Sequence, residues 1–288
     1  MKRLPEILII LLALLVGRGC TEIVDIELDS TYARLVVFGT ITTDSIAHSV
    51  ELTRTTDYFY NETPPAVSDA IVSISFNDSV IFLQENQESP GKYYLPAPMK
   101  GIPGTTYHLE ITGVDIDEDG EEETYGASAV MPTFSKADSI GLLRFFSSPI
   151  SGYQVLLYSA DPPERNWYKY RISVNEKLLD PRLSDYTVQP DDFVNNNYIF
   201  GLPIGFLSDD DEDEQLLPGD IVQLEINSIS ETYYNFIVEA QGEIFGNNPL
   251  FSGPPANVST NIDNNAVGIF TAYTVDRVEA LVRPPFVQ

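Results

Sequence analysis

From Leu35 onward, apolar residues recur at every second position, in runs too short to make the face of a helix. Ile46, His48, Val50 and Leu52 alternate with polar neighbours, as do Val72, Ile74 and Phe76, and then Tyr107, Leu109 and Ile111. Leu35-Val-Val-Phe38 and Val80 to Leu83 are short continuous runs among them. A period of two sends one set of side chains to one face of a strand, so each run is built for a sheet with one face buried. Glu62-Thr-Pro-Pro65, Asn77-Asp78, Ser89-Pro-Gly91 and Pro103-Gly104 separate the runs with residues that set or permit turns. Strands of this length and spacing predict an antiparallel sandwich of immunoglobulin-like or transthyretin-like kind over residues 33–132.

A chain of 288 residues has room for two such bodies. Residues 133–152, with Pro149 and Gly152, read as a linker, and 153–288 as a second β-rich domain. There Tyr168, Tyr170, Ile172 and Val174 share one strand face, with Trp167, Lys169 and Arg171 opposite; Val222, Leu224 and Ile226 repeat the pattern. One amphipathic helix is expected near 229–243. Ser228-Ile-Ser-Glu231 has the form of a capping box, and Tyr233, Phe236, Ile237, Ala240 and Ile244 follow at helical spacing. The expected fold class is therefore mostly β, and 20 prolines with 18 glycines agree with many short strands and turns.

The N-terminus carries an address. Met1-Lys-Arg-Leu-Pro-Glu6 is a short basic region, and Ile7 to Val16 is an unbroken apolar run. That run has the length of a secretory core and about half of the roughly 20 residues a membrane span needs. Gly17-Arg18-Gly19 then leads to Cys20, the chain's one cysteine. The arrangement resembles a bacterial lipobox, although Arg18 departs from its usual small or apolar residue. Residues 1–19 are then a lipoprotein signal peptide, Cys20 is the lipidation site, and 20–32 form an acidic tether. Several acyl chains at about 0.8 kcal/mol per buried CH₂ hold a protein on a membrane where one is marginal.

A formal charge of −27 repels nucleic acid and anionic lipid headgroups, so no nucleic-acid partner is expected. Catalytic patterns are sparse. The two histidines sit on strands without metal spacing, His48 on the apolar parity and His108 on the polar one. No G-x-S-x-G, P-loop or dinucleotide glycine pattern occurs. Carboxylates are too numerous for any pair to stand out. The chain reads as a non-enzyme without a cofactor.

Two acidic stretches remain. Asp209-Asp-Asp-Glu-Asp-Glu214 reads as a solvated loop held open by its own charge. In Val114-Asp-Ile-Asp-Glu-Asp-Gly120, the residues Asp115, Asp117, Asp119 and Gly120 fit positions 1, 3, 5 and 6 of a calcium loop. The twelfth position is Gly126, and the flanks read as strands. A hairpin tip results, at most a weak Ca²⁺ site, with Glu122 or Glu123 in place of the missing glutamate.

Several segments together carry a family resemblance. They are the lipobox, Leu35-Val-Val-Phe-Gly-Thr-Ile-Thr42, Pro64 to Val72, Gly91-Lys-Tyr93, Pro103 to Leu109, Asn248 to Asn257, Asn261-Ile262 and Ala266 to Phe270. The chain resembles Bacteroidetes outer-membrane lipoproteins grouped as domain of unknown function family forty-two forty-nine. The resemblance implies an outer-membrane location, periplasmic or surface-exposed, and a TonB-dependent outer-membrane transporter as partner. It supplies no catalytic residues. The function expected is that of a ligand-capturing or docking companion of such a transporter; the alternative is a structural or adhesive cell-surface lipoprotein.

Overall fold

The computed structural model describes residues 33–56, 63–133, 136–147, 150–192, 195–246 and 258–284. The signal peptide, Cys20, the acidic tether and the family segment 248–257 lie outside the described residues. The fold is mostly β.

Eight strands form in the first half: β1 (Leu35–Thr42), β2 (Ser49–Arg54), β3 (Ile71–Phe76), β4 (Ser79–Phe82), β5 (Gln84–Glu85), β6 (Lys92–Tyr94), β7 (Thr106–Val114) and β8 (Glu123–Val130). The alternating runs account for them. Leu35, Val37 and Ile41 of β1, Val50 and Leu52 of β2, Val72 and Ile74 of β3, and Tyr107, Leu109 and Ile111 of β7 all turn inward to one core. Asn77 has φ +50 between β3 and β4, the conformation a two-residue hairpin loop needs.

The second half contains β9 (Ala137–Ser147), β10 (Ile150–Ala160), β11 (Trp167–Val174), β12 (Lys177–Leu178), β13 (Thr187–Pro190), β14 (Tyr198–Ser208), β15 (Ile221–Ile229), helix α1 (Glu231–Gly246) and β16 (Val267–Leu281). Most of the expected linker 133–152 is thus strand. Its alternation is hidden because β9 is apolar on both faces, Ile140 and Leu142 packing inward while Leu143 and Phe145 face out.

One long sheet, in the order β12-β11-β15-β16-β1-β2-β6-β5, runs through both halves. The sheet β4-β3-β7-β8 shares one core with its β1 end, and β14-β10-β9 shares another with its β11 end. The two halves are therefore not separated at the expected boundary, and the described residues from Ala33 onward form one compact unit. The join is β16. Its first part pairs in parallel with β1, Val36 opposite Val267 through Thr42 opposite Tyr273, and its second part pairs antiparallel with β15, Ser228 opposite Thr274 through Ile221 opposite Leu281. Gly268 permits the approach: it has φ +103, and a Cβ there would lie 2.0 Å from the Val37 carbonyl oxygen.

Helix α1 covers the face of the long sheet away from the cores. Tyr233, Phe236 and Ile237 pack on Ile229 and Ile269. Its N-cap is Ser230, whose Oγ accepts the Tyr233 N–H at 3.2 Å. Ser228, the cap expected from sequence, stays in β15, because that strand remains paired to β16 through Ser228 and to β11 through Ile229. Ile244 was expected on the packed face but is 54% exposed, since the cluster beneath the helix does not reach its last turn.

Candidate functional site

The β7–β8 hairpin brings Asp115 and Asp117 together with Glu123, one carboxylate oxygen of each lying within 4.8 Å of the others. Asp119 is not in the set. Its Oδ1 instead accepts the Glu121 N–H at 2.8 Å, while Asp117 Oδ1 accepts the Asp119 N–H at 3.3 Å, so the tip is built from successive side-chain turns. Gly120 has φ +92 and donates its N–H to Asp115 Oδ2 at 3.0 Å. Glu123 opens β8, and its Oε2 accepts the Ile116 N–H at 3.0 Å. Asp115 Oδ1 is buried without a hydrogen-bond partner. Arg54 of β2 reaches the loop, pairing with Glu118 at 2.5 Å and donating to the Asp115 carbonyl at 2.8 Å. Three carboxylates supply about half of the six to eight oxygens that Ca²⁺ takes, and the arginine dilutes the local charge. Both properties limit how tightly such a loop could hold a cation.

The acidic run 209–214 is pinned at several points rather than merely solvated. Arg144 of β9 donates to both oxygens of Asp209, at 2.7 and 2.6 Å, and this pairing holds the Asp209 carboxyl below the usual carboxylate range. Glu214 Oε2 accepts the Ser208 N–H at 2.9 Å, and Asp213 pairs with Lys177. The histidines stand as their strand parity implies. His48 is buried with Nε2 2.9 Å from the Met99 carbonyl, and burial lowers its pKa; His108 is exposed, with Nδ1 2.8 Å from Ser128 Oγ.

Arg144 also marks a groove that sequence reasoning missed. An open cavity of about 950 Å³ lies beside the second core, walled by Leu142 and Phe146 of β9, Tyr153 of β10, Leu216, and Leu281 with Val282 at the end of β16. The Arg144 guanidinium lies 4.4 Å from the Phe146 ring centre and 4.7 Å from that of Tyr153, so stacking and the Asp209 bond fix it together. Glu279 and Arg283 supply further polar groups. These residues come from separated segments, and the one local signal was an arginine amid the apolar residues of β9.

The outer face of β14-β10-β9 is a separate apolar surface. Phe145 and Phe206 meet edge to face at 6.3 Å, as do Tyr158 and Phe200 at 6.1 Å, and Phe200 is 86% exposed. Gly141 and Gly201 leave room for Tyr158: a Cβ at Gly141 would meet its ring at 3.2 Å, and one at Gly201 its hydroxyl at 3.2 Å. Single exposed apolar residues are ordinary; two aromatic pairs on one sheet face suit an interaction surface better.

Lys169 was grouped with the polar face of β11, and α1 closes over it. The residue is 1% exposed, with Nζ 4.3, 4.9 and 5.5 Å from the ring centres of Tyr273, Tyr186 and Tyr233. Burial first, and Arg171 second, push its ammonium down to about 7, against the pull of Glu225 and Asp180.

No curated protein matches the chain. A family described as a domain of unknown function (DUF4249) matches residues 21–279, taking in both sandwiches, the acidic hairpin and α1. Since this match spans most of the sequence, the chain belongs to that family.

Proposed function

We propose that the protein is a non-enzymatic, lipid-anchored binding protein of the outer membrane that works beside a TonB-dependent transporter. The groove walled by Leu142, Phe146, Tyr153 and Leu281 carries this reading. It has the size of small-molecule sites, and its apolar walls with one oriented arginine suit a largely apolar ligand with a polar end. The signal-peptide and lipobox pattern ending at Cys20 supports the anchor. Affinity purification of the tagged full chain from outer membranes in mild detergent tests the role. An outer-membrane transporter should co-purify, and its uptake of one nutrient should fall when Leu142→Asp replaces the wild type. Turnover of a substrate by the purified chain, or unimpaired uptake of every nutrient in the deletion strain, would overturn it.

A second reading is a structural or adhesive cell-surface protein, and the exposed aromatic face of Phe145, Phe200 and Phe206 favours it. Its signature is loss of adhesion or assembly on Phe200→Ser substitution while uptake is unchanged.

A further inference from the structure

A second gathering of oxygen ligands occurs where the β10–β11 connection meets the β13–β14 connection. Asp161 is 8% exposed and Asp191 1%. Asn195 and Asn196 tie the two together, Asn195 donating its N–H to the Asp191 carbonyl at 2.8 Å and Asn196 donating its own to Asp161 Oδ2 at 3.3 Å. Asp161 Oδ1 accepts the Tyr168 hydroxyl at 2.9 Å, and Asp191 Oδ2 accepts the Asn166 N–H at 2.8 Å. The remaining Asp191 oxygen, Oδ1, is buried without a partner, and so is Oδ1 of Asn195.

Buried oxygens left unpaired are costly, and a buried carboxylate without a counter-charge more so. Among the described residues no lysine or arginine forms an ion pair with Asp161 or Asp191; Arg165, in the same connection, is engaged by the exposed Asp192 at 3.0 Å. The deficit is thus specific: two buried carboxylates close enough for Asp191 to disfavour the charge of Asp161, and two buried acceptor oxygens, Asp191 Oδ1 and Asn195 Oδ1, that no donor reaches. An ordered water would satisfy the acceptors but leave the charge uncompensated.

We propose that Asp161, Asp191 and Asn195 hold one divalent cation of the calcium class. The donors are all oxygen, with no imidazole or thiolate, which selects a hard cation over zinc or copper. Each Asp161 oxygen keeps a lone pair beyond its hydrogen bond, so it can coordinate without giving up Tyr168 or Asn196. The ion joins residues 161–166 to Asp191 and Asn195.

The test uses the full chain carrying Asp117→Asn and Glu123→Gln, which removes the hairpin carboxylates. After EDTA treatment, calorimetric titration with CaCl₂ alone should show one equivalent of binding. The unfolding temperature should rise with it. Adding Asp191→Asn, or separately Asn195→Ala, should weaken binding at least tenfold and abolish that rise, whereas Asp192→Asn should leave both intact. Asn195→Ala decides the matter if Asp191→Asn does not fold. Absence of calcium binding in the parent variant, or affinity unchanged by Asn195→Ala, would overturn the assignment.

Discussion

Lys169 Nζ stands 4.3 Å from the centre of the Tyr273 ring, beneath α1 and against strand β16. The burial of Lys169 at this point fixes a pH dependence. The folded amine is pushed down to about 7, from an ordinary value of 10.5. Between these values the unfolded chain binds the extra proton, so stability rises with pH across that window; below about pH 7 the folded state bears the full burial cost. Asp180, pushed up to about 6 by burial, affects only more acid conditions. Urea unfolding from about pH 7 to about pH 9.5, short of tyrosine ionisation, should show stability increasing by up to about 1.4 kcal/mol per pH unit. Lys169→Met should flatten that slope and be the more stable protein at about pH 6.

Gly268→Ala should cost about 3 kcal/mol or more, since the new methyl meets the Val37 carbonyl and the backbone has φ +103. Gly242→Ala is the control. It lies inside α1 with nothing within 4 Å of its added Cβ, and should stabilise by about 0.5–1 kcal/mol. Denaturant midpoints at unchanged m-value measure both.

At the hairpin, Ca²⁺ should bind at roughly 10⁻⁴–10⁻³ M. In a chain carrying Asp191→Asn, Asp117→Asn or Glu123→Gln should remove the residual heat of titration. Asp119→Asn should retain most of it, because Asp119 serves the turn and not the cluster.

Lipidation at Cys20 should appear as acyl chains on the N-terminal peptide by mass spectrometry. Cys20→Ala should leave an unacylated protein that no longer partitions with membranes; unchanged partitioning would refute the anchor.

The sequence made legible what depends on neighbours along the chain. Alternation located β2, β3, β7, β11 and β15, a continuous apolar run located β1, and acid spacing identified Asp115 and Asp117. It failed where long-range pairing decides. Nothing near Val267 announces a parallel partner some 230 residues earlier, so the shared sheet was read as two domains. The polar character of Lys169 suggested an open face because its cover, α1, is a distant segment. Asp119 was expected in the cluster and serves the turn instead, while Glu123, one of the two replacements expected, is brought in by the hairpin register.

The pairing of β1 with β16 also imposes an order on biosynthesis. Among the described strands the first made waits for the last, and until residues 267–281 arrive, β1 is an open sheet edge with unpaired backbone groups. The earlier sandwich therefore cannot close as the chain emerges, and a nascent or truncated chain lacking this strand presents an aggregation-prone edge. Completion of both cores then comes in one late step.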